Sequence, residues 1–189
     1  MFRPVLVTPP TLTMVSLEEA KRHCRVDFND DDDLIFALIQ TATSYFDGYS
    51  GVLGRALLPQ TWRQDFDGFY DVMRLPVGPV QSVTSVIYQD ISGVDQTLSG
   101  SDYVLLTDDY GAYIQLAADQ SWPDVGERAD AVRVTYSAGS ATVIPAIRMA
   151  ALLLIGHWYS NREAGVVGSM SDLPMGVDAL IAPHRVLQL

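Results

Sequence analysis

The residues of this chain best suited to chemistry are few and scattered. The most conspicuous group is the run Asp30-Asp31-Asp32-Asp33, which follows Asn29. Four adjacent carboxylates invite a metal reading, and a calcium loop is its natural form. Such a loop needs oxygen ligands at alternating positions, glycine at the sixth and glutamate at the twelfth. Counted from Asp30, those positions hold Ile35 and Thr41, so the pattern fails. A helix start explains the run better, because free amides and the positive end of the helix dipole favour carboxylates there. Asp65, Asp67 and Asp71 are also loosely spaced like ligands, but Phe69 takes the middle position and a turn is expected instead.

Nucleophiles are no better marked. Cys24 is the single cysteine and His23 precedes it. On a helix, successive side chains point in different directions, and nothing near Cys24 signals a lowered thiol pKa. The histidines His23, His157 and His184 are far apart and form no HxxxH or HExxH pair. His157, in an apolar stretch, reads as a hydrogen-bonded core histidine. GxSxG, GxxxxGK[ST] and GxGxxG are all missing. The sequence therefore assigns no catalytic, metal or cofactor-binding residue and implies no cofactor. A small hydrolase using Cys24 or a histidine stands as the alternative of a different class.

Composition narrows the partners. There are 189 residues, 48% of them hydrophobic, enough for a full core. Lys and Arg number 12 against 23 Asp and Glu, a net charge of −11, and Lys21 is the only lysine. Such a surface repels nucleic acid and anionic membranes, which disfavours specific DNA binding. An acidic wall past which DNA slides is compatible with it. One cysteine rules out an internal disulfide, so a reducing compartment is expected. Met1-Phe2-Arg3-Pro4 does not read as a signal peptide. The longest apolar run, Met149 to Ile155, is too short to span a bilayer, and no membrane association is expected.

The elements that would hold these residues can be read in order. Residues 1–15, with Pro4, Pro9 and Pro10, suggest an extended arm without regular structure. Ser16-Leu17-Glu18-Glu19 is a capping box opening a helix that should run to about Val26. A second helix follows the acidic run, with Leu34, Leu38, Ala42 and Tyr45 at helical spacing. The two should pack as an antiparallel pair. From Leu58 the period changes. Gln60 to Phe66, Val80 to Tyr88, and Val132 to Tyr136 read as strands. Tyr103–Thr107 and Ala112–Leu116 flank Asp108-Asp109-Tyr110-Gly111 as a hairpin. Ile144-Pro145 opens a third helix containing Ile147, Ala151, Leu154, Ile155, Trp158 and Tyr159, so apolar that burial on all sides is expected. These six are candidates for core or subunit interface. The expected class is α+β: a small helical bundle, residues 1–57 with 141–189, and an inserted antiparallel β unit at 58–140.

Four segments resemble the head–tail connector, or adaptor, proteins of long-tailed phages and gene transfer agents. They are Ser16–Lys21 with Asp30–Ile35; Gly51–Trp62, containing Arg55-Ala56-Leu57-Leu58-Pro59-Gln60-Thr61-Trp62; Leu75–Val83, beginning Leu75-Pro76-Val77-Gly78-Pro79; and Ile144–Glu163 followed by Leu173–Arg185. The family often has an aromatic residue where His184 stands, and residues 90–128 carry no signature of it. The resemblance implies a non-enzymatic ring subunit, twelve copies in all, beneath the portal protein in the neck of a virion or virus-like particle. That ring joins capsid to stopper or tail, is assembled in the bacterial host cytoplasm, and lines a channel through which DNA passes without specific binding. A related possibility is another neck or tail-completion protein. On this reading Asp30, Asp31, Asp32 and Asp33 are candidate lumen or interface acids. Leu173, Pro174, Val177, Leu180, Ile181 and Arg185 are candidates for docking the portal.

Overall fold

The structure is a computed structural model that describes residues 2–162 and 175–186. Its fold class is α+β, as the sequence suggests. The chain forms two compact units: Met1–Pro10 with Pro59–Ser140, and Thr11–Leu58 with Ala141–Leu189.

The first unit is built from β1 (Val5–Thr8), β2 (Gln60–Phe66), β3 (Met73–Leu75), β4 (Val80–Gln89), β5 (Asp95–Thr97), β6 (Tyr103–Asp108), β7 (Gly111–Leu116) and β8 (Val132–Ala138). They make a five-stranded sheet in the order β1-β2-β8-β4-β5 and a three-stranded sheet in the order β3-β7-β6. All pairs are antiparallel. The central strand β8 alternates strictly, burying Val132, Val134, Tyr136 and Ala138, as a period of two requires of a half-buried strand. On its neighbour β2, Trp62 lies opposite Tyr136 and Phe66 opposite Val132, on the same buried face. The Tyr136 hydroxyl accepts the Val77 N–H at 3.3 Å. Burial holds its pKa far above the ordinary phenol value, so it stays a neutral hydrogen-bonding group. Val77 belongs to the Leu75–Val83 turn, and the buried tyrosine thus fixes that turn to the sheet.

The expectation of an irregular arm is corrected: residues 5–8 form β1. Pro4 and Pro9 fall just outside the strand, and β1 is an edge, where missing donors on one side are tolerated. The buried Gln64 amide donates to the Phe2 carbonyl at 2.8 Å and holds the approach to the strand. The β6–β7 hairpin closes with Asp108 opposite Gly111. Gly111 has φ 109°, a conformation open to glycine at no steric cost.

The second unit contains α1 (Leu17–Cys24), α2 (Asp32–Phe46), α3 (Pro145–Ser160), α4 (Met175–Ile181) and a 3-10 turn, Ala182–His184. Ile35, Ile39, Ala42 and Phe46 of α2 recur every three or four residues and face Ile147, Ala150, Ala151, Leu154 and Ile155 of α3 in one core. Each large side chain so buried contributes about 1.5–3 kcal/mol relative to exposure. Two expectations about α3 are corrected. It is not buried on all sides, since Arg148, Met149 and His157 are exposed. His157 therefore lies on the surface, not in the core, beside Asn161 one turn on. Helix α1 ends at Cys24, two residues short of expectation, in a Schellman turn. Arg25 takes φ 58°, and the Arg25 and Val26 amides bond back to Arg22 and Lys21. Between α2 and the sheet unit the chain makes a tight loop whose closure depends on Gly51. A Cβ there would sit 2.4 Å from the Asp47 carbonyl oxygen and 2.6 Å from that of Phe46.

Candidate functional site

Among the described residues, three polar links join the helices of the second unit, and each uses a residue from the acidic or capping segments. At the start of α1, the Ser16 hydroxyl accepts the Glu19 amide at 3.2 Å. The reciprocal half of the capping box is not made. The Glu19 carboxylate instead takes Arg148 of α3, at 2.5 Å from Nη2 and 3.1 Å from Nε. Arginine's fork satisfies a carboxylate better than the lone N-cap amide does. In the second link, Lys21 Nζ donates to Asn29 Oδ1 at 2.8 Å and to Asp32 Oδ1 at 2.5 Å, holding α1 to the start of α2.

The third link is the densest. Asp31 precedes α2 but makes no side-chain cap bond. Its carboxylate accepts the Tyr159 hydroxyl at 2.5 Å and Arg162 Nη2 at 2.6 Å. The Arg162 guanidinium lies 4.7 Å from the centre of the Tyr159 ring, within reach of a cation–π contact. The Tyr159 hydroxyl and then the Arg162 guanidinium hold the Asp31 carboxyl below its ordinary range, and the Tyr159 phenol is raised in return. The acidic segment and the Trp158–Arg162 segment, more than a hundred residues apart in sequence, thus meet at one place.

The candidate residues divide accordingly. Asp31 and Asp32 are engaged within the chain, whereas Asp30 and Asp33 are exposed. Ile147, Ala151, Leu154 and Ile155 are core, and Trp158 and Tyr159 pack half-buried against it. Among the docking candidates, Val177 and Ile181 are corrected. Both are fully buried against the helical core, and a side chain with no exposed surface offers nothing to a partner. Leu180 is half-buried, and Arg185 is exposed and paired with Asp178 at 2.9 Å. Leu173 and Pro174 lie outside the described residues. Just beyond Arg185, the Val186 amide bonds to the Leu53 carbonyl at 3.0 Å, inside the Gly51–Trp62 segment.

The Cys24 and histidine alternative finds little support in the geometry. Partial burial raises the Cys24 thiol pKa, which is opposite to what a nucleophile needs. His23 packs against Gly156, where an added Cβ would lie 3.2 Å from its ring. Among the described residues, no three His, Cys, Asp or Glu side chains converge on a metal position, and no helix is long and apolar enough to cross a membrane. Arg148 and Arg162 lie within the Ile144–Glu163 segment, and nothing in the sequence gives either a role. Their pairing with Glu19 and Asp31 across long sequence separations leaves no local signal.

The class defined by fold and site is an α+β protein whose polar side chains are spent on joining its own helices. Residues 14–101 match the family model described as phage gp6-like head-tail connector protein, so the resemblance to head–tail connectors is found over the stretch that carries the first three of its motif segments. No curated protein matches the chain. Among solved structures, a chain in the neck of an empty GTA particle, computed with C6 symmetry, is 24% identical with a TM-score of 0.75. A chain in the virion of a native gene transfer agent (GTA) particle is 22% identical, also with a TM-score of 0.75. A third, in the neck of a native GTA particle computed with C12 symmetry, is 22% identical with a TM-score of 0.67. In each case the likeness covers 100% of this chain and 97% of the other, and it shows a shared fold.

Proposed function

We propose that this chain is a structural head–tail connector subunit, a non-enzymatic component of the neck of a phage or gene transfer agent particle. It forms a ring below the portal, joins capsid to stopper or tail, and borders the channel through which DNA passes. One observation carries the reading: the connector family match over residues 14–101 sits in a fold shared along its whole length with chains of particle necks. The net charge of −11 supports the channel role, since DNA slides past such a wall without adhering. The ring of twelve copies is supported by the C12 symmetry used for one of those necks. For the portal contact, exposed Arg185 and half-buried Leu180 remain the docking residues of choice.

The test is negative-stain imaging of the purified chain, alone and mixed with the portal protein from the same gene cluster. Annular particles, free or seated on the portal, are expected. Failure to form annuli in either condition, together with no retention by immobilised portal, would remove the proposal.

A further inference from the structure

We propose that the Asp67–Gly68 step just after β2 is a site of spontaneous covalent modification, where the chain converts aspartate to isoaspartate as it ages, and that the Tyr70 hydroxyl restrains the reaction. The inference concerns the chain's own chemistry and stands apart from the connector reading.

The sequence contains two Asp-Gly steps in nearly identical contexts, Phe46-Asp47-Gly48-Tyr49 and Phe66-Asp67-Gly68-Phe69. Glycine after aspartate favours isomerisation, because no Cβ hinders the amide that must attack. Local sequence does not separate the two steps, but the fold does. At the first, the Asp47 carboxylate accepts the Leu57 amide at 2.5 Å, and the Gly48 amide donates to the Arg55 carbonyl at 2.8 Å. Gly48 is also buried and held at φ 82°. Electrophile and nucleophile are both committed there. At the second, Asp67 is exposed. Among the described residues, the Gly68 amide donates to no backbone carbonyl. The surroundings of Gly68 are open, since a Cβ there would meet nothing nearer than Val125 Cγ2 at 4.0 Å. The Asp67 carboxylate has one side-chain partner among the described residues, the hydroxyl of exposed Tyr70, 2.7 Å from Oδ1.

The reaction needs no co-reactant but water. The Gly68 nitrogen attacks Asp67 Cγ and a C–N bond forms. The amide proton and the carboxyl hydroxyl leave together as water, and a cyclic succinimide results. Water then opens the ring. Addition at Cγ restores aspartate. Addition at the Asp67 backbone carbonyl leaves the chain running through Cβ and Cγ, one methylene longer and unchanged in mass. The first step uses the protonated carboxyl, because a carboxylate would have to expel oxide. Tyr70 donates to the ionised form and holds the carboxyl below its ordinary range, so it slows that step. The added methylene enters directly before Phe69. The Phe69 ring stacks nearly parallel on Trp122 at 4.5 Å and meets Tyr88 edge-on, so the modification strains this aromatic cluster.

Ageing the folded, full-length chain at neutral pH and physiological temperature tests this. Isoaspartate is read as methyl transfer from radiolabelled S-adenosylmethionine by a purified isoaspartyl methyltransferase, and is located by peptide mass spectrometry. Label is expected at Asp67 and not at Asp47, whereas the urea-unfolded chain should be labelled at both sites at comparable rates. Equal label at the two sites in the folded chain would overturn the proposal. So would an unlabelled Asp67 in the folded chain when the unfolded chain is labelled there. Tyr70→Phe is expected to raise the rate at Asp67 several-fold and leave Asp47 untouched, and an unchanged rate would refute the restraint by Tyr70. Should that variant fail to fold by circular dichroism, Gly68→Ala serves instead. Its Cβ enters open space, and loss of label at Asp67 is expected, whereas label retained at the original rate would overturn the assignment.

Discussion

Arg25 holds a left-handed backbone at the end of α1, where glycine is the usual occupant. Its Arg25→Gly variant should gain about 0.5–1 kcal/mol in stability, the relief of strain exceeding the entropy glycine adds to the unfolded chain. Chemical denaturation would show a higher midpoint with unchanged slope. Gly51 gives the opposite case. Gly51→Ala drives a Cβ into two backbone carbonyls and should cost about 2 kcal/mol or more, seen as a lower melting temperature. Neither effect was legible in the sequence. The αL position of Arg25 follows from where α1 stops, and the crowding at Gly51 follows from a loop folding back on α2. The helix cap at Ser16 was legible, because a cap is local. Its partner Glu19 was not, because the competing arginine is 129 residues away.

At the scale of elements, the Asp31 link between α2 and α3 makes stability depend on pH. A carboxyl whose pKa is lowered by folding binds protons more readily in the unfolded chain. Its contribution is therefore complete above the ordinary carboxylate range, about pH 4, and is lost as pH falls through the lowered folded value. Tyr159→Phe should flatten this acid dependence in thermal melts from neutral pH downward while leaving helical content unchanged. Residues Asp67, Asp90, Asp108 and Asp130 are lowered in the same sense, so some acid sensitivity should persist in the variant. A contrasting case is Gly156 of α3, which packs against His23 near the end of α1. Gly156→Ala presses only on the exposed His23 ring, which can swing away, and should stabilise α3 by up to about 1 kcal/mol. Helices α1, α2 and α3 and most strands were legible because their periods of 3.6 and 2 survive in the residue pattern, whereas the seven-residue α4 is too short to show one. β1, β3 and β5 were not, being short edges defined by a neighbour's ladder instead of by any pattern of their own.

For the whole molecule, charge is distributed unevenly. Residues 90–130 contain nine acids and one base, Arg128, so the β unit carries most of the negative surface, whereas half of the Asp30–Asp33 run is spent internally. The chain should not be retained by a duplex DNA column at any salt concentration, and retention at low salt would count against a channel wall. Removing residues 173–189, which hold the candidate portal-docking residues, should destabilise the helical unit. It strips Val177 and Ile181 from the core, and two buried aliphatic side chains are worth several kcal/mol, roughly 2–5 each by truncation. Arg185→Glu leaves the core alone and is the cleaner probe of the proposed portal contact. The tail's burial was not legible because its apolar residues fit a docking surface and a core equally well until the packing is seen. The one lysine also has a practical consequence for anyone studying assembly. Lys21 has a side chain only 13% exposed and committed to Asn29 and Asp32. Amine-directed fixatives and labels will find almost no side chain to react with here, so this chain will be under-represented in lysine cross-link maps of any assembly it enters, however tightly it is held.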